Sequence, residues 1–332
     1  MDGIRELKEV LEQGLGWHGA RSDVLARLLC ALFQVKTVNL AQLATALSGR
    51  ASLEAHYQRL QRFCRGVELD YATLARLRVS RLPAEAAPWV RTRDRTPWQF
   101  GRVDIHLLVR GIVWRGVSWP GLWTVLEQRG NSNTAERIAG LQRCVAIVGP
   151  ERIAHLLADR ECVGRDGLAY LQQRGIGFRI RLKQDTLIAH APGRPAPAWR
   201  RFCDLAPQTP RVLGVRAIGG LPLAGAGLKV APGDDVIVAG PDSPEQGLAD
   251  SRVRRSTETL LAGLKSRGLQ LEDTPLSDPA RLSKRLAVLA LAFAWAHRTG
   301  VWRCPQQPLR LKKPSAGRRR ASFVTASTPS GA

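Results

Sequence analysis

The stretch Ser251-Arg-Val-Arg-Arg-Ser-Thr-Glu-Thr-Leu-Leu-Ala-Gly-Leu-Lys265 has the residue pattern of a helix with one charged face and one apolar face. At about 100° per residue, Arg254 falls about 40° from Glu258, and Lys265 falls about 20° from it on the same side. The apolar face consists of Leu260, Leu261 and Leu264. The pattern therefore predicts an amphipathic helix in which one carboxylate lies between two cations.

Two interpretations of this helix are open when it is taken alone. A carboxylate that forms a simple surface ion pair needs only one cation four residues away, and such a pair contributes about 0.2–0.5 kcal/mol. A carboxylate that holds a divalent metal beside a phosphate group needs cations on the same face to bind the phosphate. The rest of the chain has to decide between a solvated charged face and a metal-binding face.

The charge of the chain indicates a polyanionic partner. Its 332 residues carry a formal net charge of +22, and of the 50 basic residues 42 are Arg. Arginine binds phosphate through two parallel N–H donors, and a positive excess of this size is typical of proteins that bind nucleic acid. The length allows more than one domain and a sizeable core.

No feature of the sequence predicts export or membrane insertion. The first residues, Met-Asp-Gly-Ile-Arg-Glu, lack the pattern of a signal peptide. The longest apolar run, residues 286–296, is shorter than the roughly 20 residues that a membrane-spanning helix needs. The six Cys residues show no C-x-x-C spacing, which favours free thiols. We therefore expect an intracellular protein that does not interact with membranes.

Residues 1–85 have the apolar spacing of successive helices, and we interpret them as a helical DNA-binding region. Two short helical patterns on either side of Gly49 have the spacing of a helix-turn-helix. The second of them carries Arg59, Arg62 and Arg65 on one face, an arrangement that suits a DNA groove. A solvated helix face is the alternative interpretation of this basic stripe.

Residues 86–184 predict the first part of a catalytic domain. The β-type runs at their start predict a meander of three strands. Its turn signals are Gly111, Arg115-Gly116 and Pro120-Gly121. A helix, an apolar strand that ends before Asp159, a second helix and a strand at residues 177–183 follow.

Shifts in composition predict the other boundaries. Residues 185–247 are rich in Gly and Pro and contain strand-like pieces, so we expect a β-rich insertion. Residues 248–305 hold the late catalytic helix and a C-terminal helix, and residues 306–332 predict a basic, disordered tail.

The order of these elements predicts an α/β protein with an RNase H-like catalytic domain. Three strands, a helix, a strand, a helix, a strand, an insertion and a helix succeed one another, and Asp94, Asp159 and Glu258 fall on the first strand, after the fourth, and on the late helix. Three carboxylates from such distant segments can converge on two divalent ions about 3.5–4 Å apart and support phosphoryl transfer. Mg²⁺ suits a site of carboxylates, water and substrate phosphate.

Four short motifs surround these carboxylates: Asp94-Arg-Thr-Pro-Trp98, Arg129-Gly-Asn-Ser-Asn-Thr134, Ala158-Asp-Arg-Glu161 and Thr257-Glu-Thr-Leu260. In combination they resemble the DDE transposases of bacterial insertion sequences, above all insertion sequence family four. The resemblance extends from about residue 20 to residue 305.

The resemblance implies a transposase that binds the terminal inverted repeats of its element, cleaves the DNA at these ends and joins them to target DNA. Asp94, Asp159 and Glu258 would be the catalytic residues and the ligands of Mg²⁺, for which Mn²⁺ substitutes. Arg254 and Lys265 would contact phosphate at the transposon end. The family also implies a homodimer in the synaptic complex, and a cytoplasmic bacterial protein that is nucleoid-associated when bound to DNA.

The chain departs from the family pattern at several positions. Ser251 stands where relatives carry Tyr, and Arg255 stands where relatives carry an aromatic residue. The strand before Asp94 contains Arg91 and Arg93, whereas the corresponding strand of the relatives is apolar. The tail also turns into low-complexity sequence. A decayed, catalytically dead copy that binds DNA without cutting is therefore the alternative function, and a nuclease unrelated to transposition is a third.

Overall fold

The computed structural model describes most of the chain between residues 2 and 306. The described ranges are 2–82, 89–100, 103–114, 117–126, 134–158, 165–190, 193–231, 234–242, 244–264, 268–271, 276, 278–303 and 306. The expected disordered tail lies outside them, apart from residue 306.

The described part of the N-terminal region is helical, as the apolar spacing predicted, and contains five helices. They are α1 (Asp2–Leu15), α2 (Ala20–Val35), α3 (Leu40–Thr45), α4 (Leu53–Gly66) and α5 (Tyr71–Val79). The side chains of Asn39, Ser52 and Asp70 cap α3, α4 and α5 by accepting hydrogen bonds from backbone N–H groups of the first turns. These caps fix where each of the three helices begins.

Ten strands form one mixed sheet in the order β3-β2-β1-β4-β5-β10-β9-β8-β6-β7. Their bounds are β1 (Trp89–Phe100), β2 (Val103–Trp114), β3 (Val117–Leu126), β4 (Ile153–Ala158), β5 (Gly177–Arg181), β6 (Leu187–His190), β7 (Gly193–Pro197), β8 (Pro210–Ile218), β9 (Leu221–Ala231) and β10 (Asp234–Gly240). β1 is parallel to β4 and β4 is parallel to β5, whereas the other pairs are antiparallel. The predicted α/β class is therefore confirmed.

Two of the expected turns are wrong, because β2 runs through Gly111 and β3 runs through Pro120-Gly121. Gly111 pairs with Pro120, and the register shifts between Arg110 and Gly111. Such a shift lets a strand pair continue past a proline, which has no N–H to donate.

The strands predicted for residues 185–247 are present, and they extend the sheet. β10 pairs with β5 through Val238 and Arg181 and through Ala239 and Ile180. The strands of the insertion therefore belong to the same β-sheet.

Four further helices flank the sheet. They are α6 (Thr134–Val148), α7 (Arg165–Gln173), α8 (Pro244–Ala262) and α9 (Pro279–Arg303). The late helix α8 begins earlier than its charge pattern indicated, with a proline in the first turn, where the missing N–H costs nothing. Asp278 caps α9 by accepting a hydrogen bond of 2.7 Å from the backbone N–H of Arg281. None of the described helices is long and apolar enough to cross a bilayer.

Two large apolar clusters hold these elements together. One joins the N-terminal helices to α8 and α9, and the other packs the sheet against α6 and α7. The predicted apolar face of α8 is confirmed, since Leu260, Leu261 and Leu264 are buried in the first cluster. Burial of one Leu side chain contributes about 1.5–3 kcal/mol. This packing holds the C-terminal end of α8 against the N-terminal helices and α9.

Candidate active site

A cluster of three buried hydroxyl groups attaches α8 to the sheet. The Thr257 Oγ1 atom of α8 lies 2.6 Å from Oγ1 of Thr92 in β1 and 3.2 Å from Oγ of Ser118 in β3. The Thr92 and Ser118 hydroxyls are 3.2 Å apart. All three residues are fully buried. The cluster therefore fixes one point of α8 over β1 and β3.

Gly111 makes this cluster possible. It lies in β2, the strand between β1 and β3, and it pairs directly with Thr92. A Cβ atom at Gly111 would overlap the Ser118 hydroxyl and lie 2.8 Å from Thr92 Oγ1. Because glycine has no side chain, hydroxyl groups from β1 and β3 can meet above β2.

Asp94 and Asp159 follow paired positions of two neighbouring parallel strands. Thr92 of β1 pairs with Leu157 of β4. Asp94 comes two residues after Thr92, and Asp159 comes two residues after Leu157. The backbone of Asp94 belongs to β1, whereas its side chain and the whole of Asp159 lie outside the described part of the chain.

Glu258 is the exposed residue of α8 that follows the buried Thr257. Arg254 lies one turn earlier in the same helix, and its side chain lies outside the described residues, as do those of Ser251 and Arg255. The α-helix ends at Ala262 and continues as a wider, π-type turn at residues 263–264. Lys265 itself is not described.

A second polar cluster lies at the N-terminal half of α8. Arg179 of β5 forms an ion pair with Asp250 and donates a hydrogen bond of 3.0 Å to Gln246 Oε1. The Nε2 atom of His155 in β4 lies 3.1 Å from the same Asp250 carboxylate. This cluster connects α8 to β4 and β5, the strand pair beside β1.

The electrostatics of this second cluster keep His155 neutral. Burial in the first place, and the Arg179 guanidinium in the second, lower the pKa of His155 to about 4, against an opposing effect of Asp242. Arg179 already neutralises Asp250, so this carboxylate does not charge the imidazole. The neutral His155 ring therefore lies beside the Arg179–Asp250 ion pair without adding charge to it.

Among the side chains that the structure describes, no group of three or more His, Cys, Asp or Glu residues is arranged to hold a metal ion. Two of the three predicted metal ligands, Asp94 and Asp159, are not among these side chains.

The basic stripe predicted on α4 is divided. Arg59 Nη2 pairs at 3.1 Å with Asp23 of α2, which also accepts a hydrogen bond from Arg27. Arg62 and Arg65 are exposed. Two of the three predicted DNA contacts on this helix therefore face solvent, and the third is engaged by a carboxylate.

The fold of the chain is similar to that of a solved protein structure. A similar solved structure is the cryo-EM structure of a piggyBac transposase synaptic complex with hairpin DNA, with a TM-score of 0.52. The two chains are 10% identical, and the match covers 91% of this chain and 74% of that one. No family model matches the chain, and no curated protein sequence matches it. The likeness therefore defines the architecture.

Proposed function

We propose that the protein is a DDE-type DNA transposase with an RNase H-like catalytic domain, related to bacterial insertion sequence family four. It binds the terminal inverted repeats of its element, cleaves at the ends and joins them to target DNA. The observation that carries this proposal is the hydrogen bond between Thr257 and Thr92, which holds the helix of Glu258 against the strand of Asp94.

The positions of the three carboxylates support their convergence. Residues two apart in a strand share one face of the sheet, so positions 92 and 94 belong to the face that α8 covers. Thr92 of β1 pairs with Leu157 of the parallel strand β4. Asp94 and Asp159 each come two residues after this paired position, so they follow it at the same distance along the chain. The order β3-β2-β1-β4-β5, with parallel β1, β4 and β5, supports the RNase H-like assignment.

The donor set fits Mg²⁺, with Mn²⁺ as a substitute, since Asp94, Asp159 and Glu258 offer only carboxylate oxygens. When bound, such ions activate the attacking oxygen and stabilise the leaving oxygen. Arg254 and Lys265 would bind the phosphates beside the scissile bond.

The reaction consists of two displacements at phosphorus. Water first forms a P–O bond at the element end, the P–O3′ bond breaks, and the element keeps a free 3′-hydroxyl. This hydroxyl then attacks a phosphodiester of the target, whose own 3′ oxygen leaves. Because two ends react together, we propose a homodimer in the synaptic complex.

The DNA partner is supported by charge. The formal net charge of +22 favours a polyanion, and the exposed Arg62 and Arg65 offer phosphate contacts on α4. We assign Arg59 to the same surface, although its ion pair with Asp23 weakens its share of the binding.

The test is cleavage of a plasmid that carries the inverted repeats flanking the gene, in Mg²⁺ or Mn²⁺. We expect cuts at the repeat boundaries, and a loss of at least about a thousandfold in Asp159→Asn, because a lost metal ligand removes several kcal/mol of transition-state stabilisation. Asp166→Asn, an exposed change in α7, is the matched control and should cut normally.

Two results would contradict the proposal. If the native chain binds the repeats tightly and does not cut them, the protein is a decayed copy. If it cuts DNA without preference for the repeats and Asp159→Asn abolishes this activity, the protein is a nuclease of another kind.

A further inference from the structure

A cavity of about 440 Å³ lies between α3, α4 and α9, away from the carboxylates. The apolar part of its lining, called the apolar floor, includes Leu28, Leu32, Leu43, Phe63, Val288 and Leu289. Tyr57 and Cys64 also line the cavity. Small-molecule sites commonly have volumes of about 300–1,000 Å³ and an apolar lining with a few polar groups, so this cavity has the size of a ligand site.

Four cations surround this apolar floor. They are Arg65, Arg281, Lys284 and Arg285. None of the described lining residues is acidic. Among its described lining residues, the cavity therefore combines an apolar part with four cations and no carboxylate.

Arg285 is the most informative of these cations because it is partly buried. Its Nη1 donates a hydrogen bond of 2.6 Å to the carbonyl oxygen of Val38, and no ion pair to a carboxylate is found for it among the described residues. Burial lowers the pKa of Arg285, which shows that its charge is costly in this position.

The charge of Lys284 is likewise only partly compensated by its hydrogen-bond partner. Its Nζ donates to the carbonyl oxygen of Arg65 at 3.3 Å and, within the described structure, to no carboxylate. Buried charges in proteins are normally paired with an opposite charge. Arg285 is partly buried and Lys284 beside it is partly exposed, and in the described structure both have only carbonyl partners, so their charge is available to bind an anion.

We propose that this cavity binds a nucleotide, either free or within a DNA strand, with the phosphate between Arg281, Lys284 and Arg285 and the base on the apolar floor beside Tyr57. A guanidinium binds phosphate through two N–H donors, and an aromatic ring accepts the flat face of any base. The DNA source of the nucleotide rests on the proposed transposase function, whereas the recognition of the nucleotide itself does not.

The test is the fluorescence of 2-aminopurine titrated with the full-length protein. One probe is 2-aminopurine deoxyribonucleoside 5′-monophosphate, and the other is a short single strand with one central 2-aminopurine. We expect both probes to be quenched. A strand that binds at least about tenfold more tightly identifies DNA as the source, and equal affinities identify a free nucleotide.

Two variants test separately the positive charge of the cavity and its empty volume. Arg285→Met keeps the length of the side chain and removes the charge, and we expect it to weaken binding of both probes by about tenfold or more, which is the usual effect of losing a charge-assisted hydrogen bond. Ala41→Trp adds a large ring at an exposed position of the cavity lining while all four cations remain, and we expect it to abolish quenching. Arg194→Met in β7 removes an exposed charge elsewhere and should change the affinity less than twofold.

Thermal unfolding of each variant shows whether it has folded. The proposal is overturned if the free nucleotide is not quenched, or if a folded Ala41→Trp protein binds both probes as the native protein does. The result is independent of the cleavage assay, because Asp159→Asn leaves the cavity intact and should still quench both probes.

Discussion

The Thr257 hydroxyl is buried between two other hydroxyls, and its loss tests how α8 is held on the sheet. In Thr257→Val, Thr92 and Ser118 can pair only with each other, so we expect the free energy of unfolding to fall by about 1–2 kcal/mol. Urea unfolding measures this change. Strand cleavage should fall as well, because Glu258 follows Thr257 directly.

Thr257→Ser is the matched control for this prediction. It keeps the hydroxyl and removes one methyl group, which costs about 0.8 kcal/mol of burial. If Thr257→Val is at least as stable as Thr257→Ser, and both cleave equally, the hydroxyl cluster does not position the helix.

His155 makes the stability of the protein depend on pH. Its pKa is lowered from 6.5 to about 4, first by burial and then by Arg179, so the unfolded chain takes up a proton between these values while the native protein does not. Protonation therefore stabilises the unfolded state as the pH falls from about 6.5 to about 4. We expect a loss of about 1–2 kcal/mol across this window, less than the full shift would give, because solvent screens the charge of a half-buried group.

The measurement is urea unfolding at pH 7, 5.5 and 4.5 for the native protein and for His155→Gln. Glutamine does not titrate, so the loss of stability in this window should be smaller in the variant. His18→Gln, an exposed change in the turn before α2, should keep the native pH dependence. Equal slopes in all three proteins would mean that His155 is not buried as a neutral group.

Sequence analysis could select carboxylates but not the residues that bring their segments together. Asp94 and Glu258 stand out because they are acidic residues within short motifs in a strongly basic chain. Thr92, Ser118 and Thr257 are ordinary residues, and Thr92 and Thr257 are 165 positions apart, so no local pattern connects them. Only the folded sheet, with Gly111 between the two strands, makes them neighbours.

At the scale of one element, α4 carries a basic stripe whose members should differ in their effect on DNA binding. Arg62 is exposed, whereas Arg59 is paired with Asp23. We expect Arg62→Gln to weaken binding to any DNA sequence several-fold and to reduce the slope of log K against log salt by about 0.9. Arg59→Gln should have a smaller effect.

Fluorescence anisotropy with a labelled duplex measures the affinity and its salt dependence. The salt concentration is varied from about 50 to about 200 mM. Arg5→Gln is the control for the loss of one charge, because Arg5 lies on α1 and pairs with Glu9. If Arg62→Gln and Arg5→Gln bind alike, α4 does not face the DNA.

Local sequence patterns predicted most helices and strands correctly but placed several of their ends wrongly. The caps Asn39, Ser52 and Asp70 act within one turn, and a helix start of this kind can be predicted from sequence alone. The continuity of β2 through Gly111 and of β3 through Pro120 depends on pairing between strands. A residue that normally marks a turn can lie within a strand when a β-bulge lets the pairing with the neighbouring strand continue past it.

At the scale of the whole molecule, the N-terminal helices share their core with the last helix. Leu282, Leu286, Leu289 and Phe293 of α9 are buried in the cluster that also contains the apolar faces of α1 to α5. Arg78 of α5 is buried as well, donates to the carbonyl oxygen of Gly121 in β3 and lies 5.2 Å from the centroid of the Trp123 ring. The boundaries assigned from the sequence do not describe such contacts between segments.

This shared core predicts that the sheet does not fold without the helices that precede it. A chain that begins at Trp89 would expose the buried side of α9, and each exposed Leu would lose about 1.5–3 kcal/mol of burial, against a typical domain stability of about 5–15 kcal/mol. We expect this shortened chain to lack a cooperative urea transition and to be cleaved rapidly by protease. A chain that ends at Arg303 keeps every described helix and strand and is the matched control, with an unfolding midpoint close to the native one. If the chain beginning at Trp89 unfolds cooperatively at the native midpoint, the N-terminal helices form an independent unit, and α9 then belongs to the sheet alone.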